Sequence, residues 1–287
     1  MPATPLLGAA DLHTHSTVSD GTDTPAALVH QAAAAGLWGI ALTDHDSTAG
    51  WDNAATAARD AGIAFIPGIE LSTRLNGVSV HVLGYLIDPD SAQLRAELVT
   101  IRDSRLQRAE RIVTRIARDY DLTWEDVLAQ SGVGSTIGRP HIADALVARG
   151  YEPTRSAAFD GILHPRAGYT QPHYAPDPVR GVELIRAAGG VAVVAHPGSR
   201  GARRVMTDTE VGRLTAAGLF GLELEHPENL PEAMPGLEAL AERCGLAVTG
   251  SSDFHGTGKP NRLGECVTPP EVVAQILAAG TGSRPVL

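Results

Sequence analysis

The sequence has few cysteines, no long hydrophobic run and no excess of positive charge. Only Cys244 and Cys266 occur among its 287 residues, too few for a disulfide framework, so we expect a protein of the reducing cytoplasm. No stretch approaches the roughly 18 apolar residues of a membrane helix, and the start "MPATPLLGAADLH" has neither the basic region nor the apolar core of a signal peptide. The formal net charge of −10 argues against stable binding to duplex nucleic acid.

The remaining composition is that of an ordinary globular protein, with 43% hydrophobic and 20% charged residues. The length suits one α/β barrel, or one domain that carries an insert. In the first third, apolar stretches such as "GAADLHTH", "GIALTDH", "AFIPGIEL" and "VSVHVLGYLI" alternate with helical patterns. The first helix is predicted to have Thr24 as its N-cap and Pro25 at its first position, and to stop at Gly36. This alternation predicts parallel strands covered by helices.

The alternation is interrupted in the middle of the chain. Helical patterns fill this interval, and they are predicted at 91–120, 124–131, 139–149 and 153–161. Strand patterns return in "VAVVAH", "GLELEH" and "LAVTGSSDFH". We therefore expect a barrel built from residues 1–87 and 177–287, with a helical insert at 88–176.

Histidines and carboxylates recur where the predicted strands end. Residues i and i+2 of a strand point to the same side, so His13 and His15 should aim at one point, and so should Asp253 and His255. The carboxyl ends of barrel strands form the rim where active sites are built. Further candidates lie mostly at or near this rim, and they are Asp20, His45, Glu70, His81 and His196. A single histidine among them would best be explained by a structural role, but their convergence predicts a metal site.

The donor types indicate which metals would bind. Imidazole and carboxylate groups without cysteine suit Zn²⁺, Mn²⁺ or Fe²⁺. Nine donors exceed the needs of one ion, so two or three ions with a bridging carboxylate are expected. Close-set ions convert a bound water to hydroxide near neutral pH and clamp the oxygens of a phosphoryl group. His226, at the end of "GLELEH", is a further candidate for the rim of this site.

A set of motifs in family order resembles the PHP (polymerase and histidinol phosphatase) metallophosphoesterases. The motifs are "DLHTHSTVSDG", "LTDHD", "GIEL", "HVLGY", "IGRPHIA", "AHPG" and "SSDFHG". The resemblance is greatest to the branch of nucleoside 3′,5′-bisphosphate phosphatases and 5′→3′ exoribonucleases. It implies a distorted (β/α)₇ barrel with a helical insert, a nucleotide or short oligonucleotide substrate, and two or three ions of Mn²⁺, Zn²⁺ or Fe²⁺, with Mn²⁺ favoured. It also permits a monomer.

The resemblance further implies a role for each candidate residue. One ion would be held by His13, His15, Glu70 and Asp253. Glu70 would bridge to a second ion, which is completed by His81 and His196, and a third would be held by Asp20, His45 and His255. Substrate phosphate would be bound by Arg139 of "IGRPHIA", by Arg166 of "PRAGYT", where the family commonly has a lysine, and by His173 nearby.

Arginines also recur on the long predicted helix, at positions 102, 105, 108, 111, 115 and 118. Such a series can steer oligonucleotides toward a site. The favoured interpretation, however, is a solvated helix face with internal ion pairs.

Several other functions fit parts of the pattern. Hydrolysis of cyclic nucleotide phosphates or of histidinol phosphate uses the same chemistry. An amidohydrolase also opens with H-x-H, but many of these enzymes bridge two metals with a carbamylated lysine. The single lysine of this chain, Lys259, lies beyond the last metal-pair strand, which is the wrong place. A non-catalytic metal-binding module would be expected to have lost ligands, and all nine positions are present.

Overall fold

Seven strands form one sheet in the order of the chain in the computed structural model, which describes residues 7–132 and 134–287. They are β1 (Ala10–Asp11), β2 (Gly39–Leu42), β3 (Ala64–Leu75), β4 (Val78–Tyr85), β5 (Val191–Val194), β6 (Gly221–Glu225) and β7 (Ala247–Gly250). A parallel bridge between Thr14 and Phe254 joins the two ends of the sheet. The result is a nearly closed seven-stranded barrel, so the predicted α/β fold class is confirmed.

Ten α-helices accompany the strands in the described part of the chain. They are α1 (Pro25–Ala34), α2 (Trp51–Ala61), α3 (Ala92–Ile116), α4 (Trp124–Leu128), α5 (Arg139–Ala148), α6 (Arg155–Asp160), α7 (Pro178–Ala187), α8 (Asp208–Ala217), α9 (Met234–Cys244) and α10 (Pro270–Ala279). The start of α1 follows the prediction, because the Thr24 side chain accepts a hydrogen bond from the Ala27 N–H. Within residues 7–132 and 134–287, no helix is both long and apolar enough to cross a membrane.

One strand runs against the predicted parallel arrangement. β4 is antiparallel to both β3 and β5, whereas the other neighbouring strands are parallel. Leu75 pairs with Val78, so β3 and β4 form a hairpin with a two-residue turn at Asn76 and Gly77. Both turn residues have positive φ, 49° and 81°, the conformation that an Asn-Gly hairpin turn favours. His81 therefore reaches the rim from the N-terminal half of its strand, rather than from a strand end.

The first strand is shorter than its sequence suggests. Regular pairing covers only Ala10–Asp11 of the stretch "GAADLHTH". The chain beyond β1 stays against the barrel because the His15 N–H donates to the Phe254 carbonyl at 2.9 Å and the Thr43 N–H donates to the Thr14 carbonyl at 2.9 Å. These contacts hold the H-x-H segment at the mouth of the barrel without a regular strand.

Helix α3 connects two apolar clusters. Leu94, Leu98 and Ile101 in its first half pack into the barrel core, whereas its second half packs into a separate cluster with α4, α5 and α6. We propose on this basis the predicted division into a barrel of residues 1–87 and 177–287 and an insert of residues 88–176, of which residues 1–6 and 133 lie outside the described part of the chain. The segment of α3 between Ile101 and Ala109 lies at the junction of the two clusters, and it faces the mouth of the barrel.

Candidate metal centre

All nine predicted metal ligands meet at the mouth of the barrel. Six of them are buried, with at most 7% of the residue exposed, and they are His13, His15, Asp20, Glu70, Asp253 and His255. The other three, His45, His81 and His196, are half-buried. The cluster draws on the segments after β1, β2, β5 and β7 and on the hairpin of β3 and β4, so side chains more than 200 positions apart in sequence become neighbours.

Glu70 lies at the centre of the cluster, and its two oxygens face different histidines. Oε2 lies 3.3 Å from His13 Nε2 and 3.2 Å from His15 Nε2. Oε1 lies 2.7 Å from His81 Nδ1 and 3.4 Å from His196 Nε2. A carboxylate with each oxygen directed at a separate histidine pair has the geometry of a bridge between two metal ions.

Asp253 completes the first of these two groups. Its Oδ1 lies 3.4 Å from His13 Nε2 and 3.2 Å from His15 Nε2, and the two Nε2 atoms are 3.1 Å apart. These three donor atoms and Glu70 Oε2 therefore converge on one point.

Asp20 gathers a third group. Its Oδ1 lies 3.3 Å from His255 Nε2, and its Oδ2 lies 3.7 Å from His45 Nε2. The other ring nitrogen of His45 lies 3.0 Å from Glu70 Oε2, so this histidine stands between two groups. The structure thus brings all nine residues together, whereas the assignment of each residue to a particular ion stays a prediction.

Several of these atoms are buried without a hydrogen-bond partner. They are Glu70 Oε1, His45 Nδ1, His81 Nδ1 and His196 Nδ1. Glu70 Oε1 and His81 Nδ1 are close in distance but not aligned for a hydrogen bond. Because buried polar atoms normally have partners, the convergence of Glu70 Oε1, His45 Nδ1 and His81 Nδ1 without one fits ligands directed at a cation. Imidazole and carboxylate donors without thiolate suit a divalent metal ion.

The charge of the cluster also fits a cation. Burial alone raises the pKa of Glu70, but the facing histidines, His81 foremost, hold that pKa well below its usual range. The pKa values of Asp20 and Asp253 are likewise held well below their usual range, against the effect of burial, by neighbouring basic groups. Their low pKa values keep these three carboxylates ionised near neutral pH, which is the form that binds a divalent metal ion.

The sequence interpretation missed Glu223, a fully buried carboxylate on β6. Glu223 Oε1 lies 3.0 Å from His13 Nδ1, and Oε2 accepts a hydrogen bond from the His196 N–H at 3.0 Å. A carboxylate on the far nitrogen of a ligating histidine fixes the ring and its tautomer. The signal was present in the sequence as a charged residue at a buried position of "GLELEH". His226, the predicted rim residue, lies beside this network with its Nε2 3.7 Å from Asp253 Oδ2.

A cavity of about 550 Å³ adjoins the cluster and is lined by basic side chains. Its lining includes Asp20, His45 and His81 of the metal cluster, and a second, basic part of the lining consists of Arg74, Arg105, Arg108, Arg139 and His173. We call these last five residues the arginine wall. Arg166, by contrast, is exposed on a short 3₁₀ segment and is not among the lining residues, and its contact with phosphate stays a prediction.

The favoured interpretation of the arginine series on α3 is wrong for two of its members. Arg105 and Arg108 are only 7% and 6% exposed. Arg105 Nε lies 2.9 Å from Asp46 Oδ2, and its NH2 group donates to Ser72 Oγ at 2.6 Å. These two arginines face the cavity because α3 packs across the barrel mouth, and the helical periodicity alone could not reveal which of its faces would do so.

The arginine wall has an excess of positive charge. Burial, together with the neighbouring arginines, lowers the pKa of Arg108 to about 8. Burial and Arg105 also lower the pKa of Arg139, whose guanidinium carbon lies 5.4 Å from the centre of the Phe159 ring. A bound anion would relieve this repulsion, and guanidinium groups suit phosphate in particular.

His173 is part of this wall as a neutral acceptor. Its Nδ1 faces an Arg108 donor at 2.9 Å and an Arg74 donor at 3.3 Å. Burial, followed by the charge of Arg108, lowers the pKa of His173 to about 2. The neutral ring therefore orients two guanidinium groups without adding charge.

This depressed pKa predicts a pH-dependent stability. The unfolded chain takes up a proton on His173 below its ordinary pKa of 6.5, while the folded protein does not, so the unfolding free energy should fall with pH below 6.5. Between pH 7.5 and pH 5, we expect the unfolding free energy of the wild type to fall by about 1–2 kcal/mol more than that of a His173→Gln variant. Urea denaturation at both pH values measures the difference. His30→Gln, which alters an exposed histidine on α1, should show the same decrease in unfolding free energy as the wild type. An equal decrease in His173→Gln and in the wild type would contradict the expectation.

The chain is similar to known proteins over most of its length. The PHP domain family matches residues 11–146. A 3′,5′-nucleoside bisphosphate phosphatase of Chromobacterium violaceum is 35% identical over 254 residues, which cover 88% of this chain and 89% of that protein. A 5′-3′ exoribonuclease of Haemophilus influenzae is 33% identical over 250 residues, which cover 85% of this chain and 89% of that protein. A solved structure from Bifidobacterium adolescentis, described as a metal-dependent phosphoesterase, has a TM-score of 0.92 at 43% identity and covers 95% of this chain and 96% of that chain.

Proposed function

This chain belongs to the PHP family of metal-dependent phosphoesterases, and from this premise we propose that its substrate is a nucleotide with a second phosphate close to the ester that is hydrolysed. A nucleoside 3′,5′-bisphosphate, which would lose its 3′-phosphate, meets this description. The chain is a hydrolase of phosphoester bonds rather than a non-catalytic module. The observation that carries the substrate proposal is the arginine wall, which shares one cavity with the candidate metal ligands.

The two groups of residues that line the cavity would have different roles in binding and hydrolysis. The nine clustered residues would hold two or three divalent ions, with Mn²⁺ the preferred choice. When bound, such ions supply an activated water and a Lewis acid for the scissile phosphate. Arg108 and Arg139 would bind the second phosphate and so fix the distance of the scissile group from the cluster. Arg105 is tied to Asp46 and Ser72, so it contributes a fixed positive charge to the cavity.

A second cavity supports a related activity on short RNA. It measures about 560 Å³ and shares Asp20, His45, Pro140 and Phe159 with the first cavity. An RNA whose 5′-phosphate lies on the arginine wall could extend into this second space beyond the scissile bond. The similarity to a 5′-3′ exoribonuclease is consistent with this second candidate.

A substrate panel tests the proposal. Enzyme reconstituted with Mn²⁺, Zn²⁺ or Fe²⁺ is given adenosine 3′,5′-bisphosphate, adenosine 3′-monophosphate, 5′-phosphorylated and 5′-hydroxyl RNA, a cyclic nucleotide phosphate and histidinol phosphate. We expect kcat/KM for the bisphosphate to exceed that for the monophosphate by about 1,000-fold or more, since both charge-assisted contacts with the second phosphate are absent in the latter.

The other arms of the panel decide between the alternatives. A preference for 5′-phosphorylated over 5′-hydroxyl RNA would establish the second candidate beside the first. Equal rates on the bisphosphate and the monophosphate, or a preference for cyclic phosphate or histidinol phosphate, would overturn the role given to the arginine wall.

A further inference from the structure

Lys259 is the single lysine of a chain with 23 basic residues, and it lies at the edge of the candidate metal centre. It follows β7 by nine positions and is half-buried, with 29% of its side chain exposed. Its Nζ lies 2.5 Å from Asp253 Oδ2 and 3.0 Å from Glu228 Oε1. The side chain thus connects the segments that follow β6 and β7.

The two oxygens of Asp253 have different surroundings. Oδ1 faces the Nε2 atoms of His13 and His15. Oδ2 accepts the hydrogen bond from Lys259, and His226 Nε2 approaches it at 3.7 Å. One oxygen is therefore directed at the predicted ion, and the other is held away from it.

The ammonium group is itself held in place. It donates to Glu228 Oε1 as well as to Asp253, and the Glu228 N–H donates to His226 Nδ1 at 3.0 Å. Asn261 anchors the same region, because its side-chain amide donates to the Ser252 carbonyl at 2.7 Å. Asp253 needs such support, since its backbone has a φ of 53°, which is sparsely populated for residues other than glycine.

We infer that Lys259 is a positioning residue of the metal centre, which keeps Asp253 directed at the metal through Oδ1 alone. The inference rests on the proposed metal centre. Lys259 itself neither binds the metal nor reaches the histidine pair; it acts through the Asp253 carboxylate, by occupying the oxygen that would otherwise be free to chelate or to rotate.

The choice of lysine in an arginine-rich chain follows from this role. An ammonium group is a compact point charge that binds one carboxylate oxygen, whereas the planar guanidinium group binds both oxygens of a carboxylate in a fork. An arginine at this position would draw Oδ1 away from the metal. Space does not prevent the exchange, because Lys259 lines the cavity of about 560 Å³.

Metal binding by two variants tests the inference. Lys259→Met and Lys259→Arg are stripped of metal and titrated with Mn²⁺, with electron paramagnetic resonance and elemental analysis as readouts and near-UV circular dichroism as the check on folding. We expect both variants to bind the Asp253-dependent ion about 10- to 100-fold more weakly, which is the usual loss when a partner of a metal ligand is removed. Arg262→Met removes an exposed cation three residues away and should bind Mn²⁺ as the wild type does.

The direction of the change in Mn²⁺ affinity separates this positioning role from simple electrostatic repulsion. A nearby cation repels a metal ion, so a purely electrostatic Lys259 predicts tighter Mn²⁺ binding in Lys259→Met and unchanged binding in Lys259→Arg. Wild-type or tighter affinity in either folded variant overturns the inference, and Lys259→Arg alone decides it if Lys259→Met does not fold. Because no substrate is present, the result is independent of the activity panel.

Discussion

Replacing Glu70 with glutamine is expected to remove at least one metal ion and to lower kcat/KM by about 1,000-fold or more, which corresponds to about 4 kcal/mol of transition-state stabilisation. The reason is that the two oxygens of this carboxylate face different pairs of histidines. Oε2 faces His13 and His15, while Oε1 faces His81 and His196. Glutamine replaces one oxygen by an NH₂ group that cannot bind a metal, and it removes the negative charge shared by both groups.

Elemental analysis of the purified variant, together with kinetics on the best substrate of the panel, measures this effect. Glu225→Gln is a matched control, because the same substitution is made at an exposed position at the end of β6. It should keep both metal content and rate. Full metal content and normal turnover in Glu70→Gln would refute the bridging role of this residue.

Replacing Arg108 with alanine is expected to have the second largest effect, and a selective one. Arg108 is buried in the arginine wall, and its guanidinium bonds to neutral His173 rather than to a carboxylate, so it is available to an anion. We expect kcat/KM for adenosine 3′,5′-bisphosphate to fall by about 100-fold or more, since a charge-assisted phosphate contact is lost. The rate on adenosine 3′-monophosphate should change far less, and the metal content should be unchanged.

A neighbour on the same helix provides the control. Arg111 lies three residues further along α3 and is exposed, so Arg111→Ala removes the same charge without touching the cavity. It should leave the preference for the bisphosphate intact. An equal loss in both variants would mean that α3 acts by long-range attraction, and an equal loss on both substrates in Arg108→Ala would mean that this residue does not recognise the second phosphate.

Local sequence patterns carried most of the information about the candidate metal centre. His13 and His15, like Asp253 and His255, are two positions apart, and such spacing constrains direction even where a regular strand is short. Residues that follow strands of one barrel must meet at one mouth, so the convergence of the nine donors followed from the α/β pattern. The antiparallel β4 did not disturb it, because His81 faces the same mouth from a strand that runs the other way.

Only the tertiary structure decided which charged residues support that centre. The arginines of α3 recur at three- and four-residue steps, and the burial of Arg105 and Arg108 depends on how the helix crosses the barrel mouth, near Asp46 and Ser72. Glu223 lies 210 positions from the histidine that it orients. Contacts between such distant side chains leave no local periodicity in the sequence, because they arise from the packing of one element against another. The metal donors could therefore be predicted from the chain itself, whereas the residues that orient them and the cations beside them required the fold.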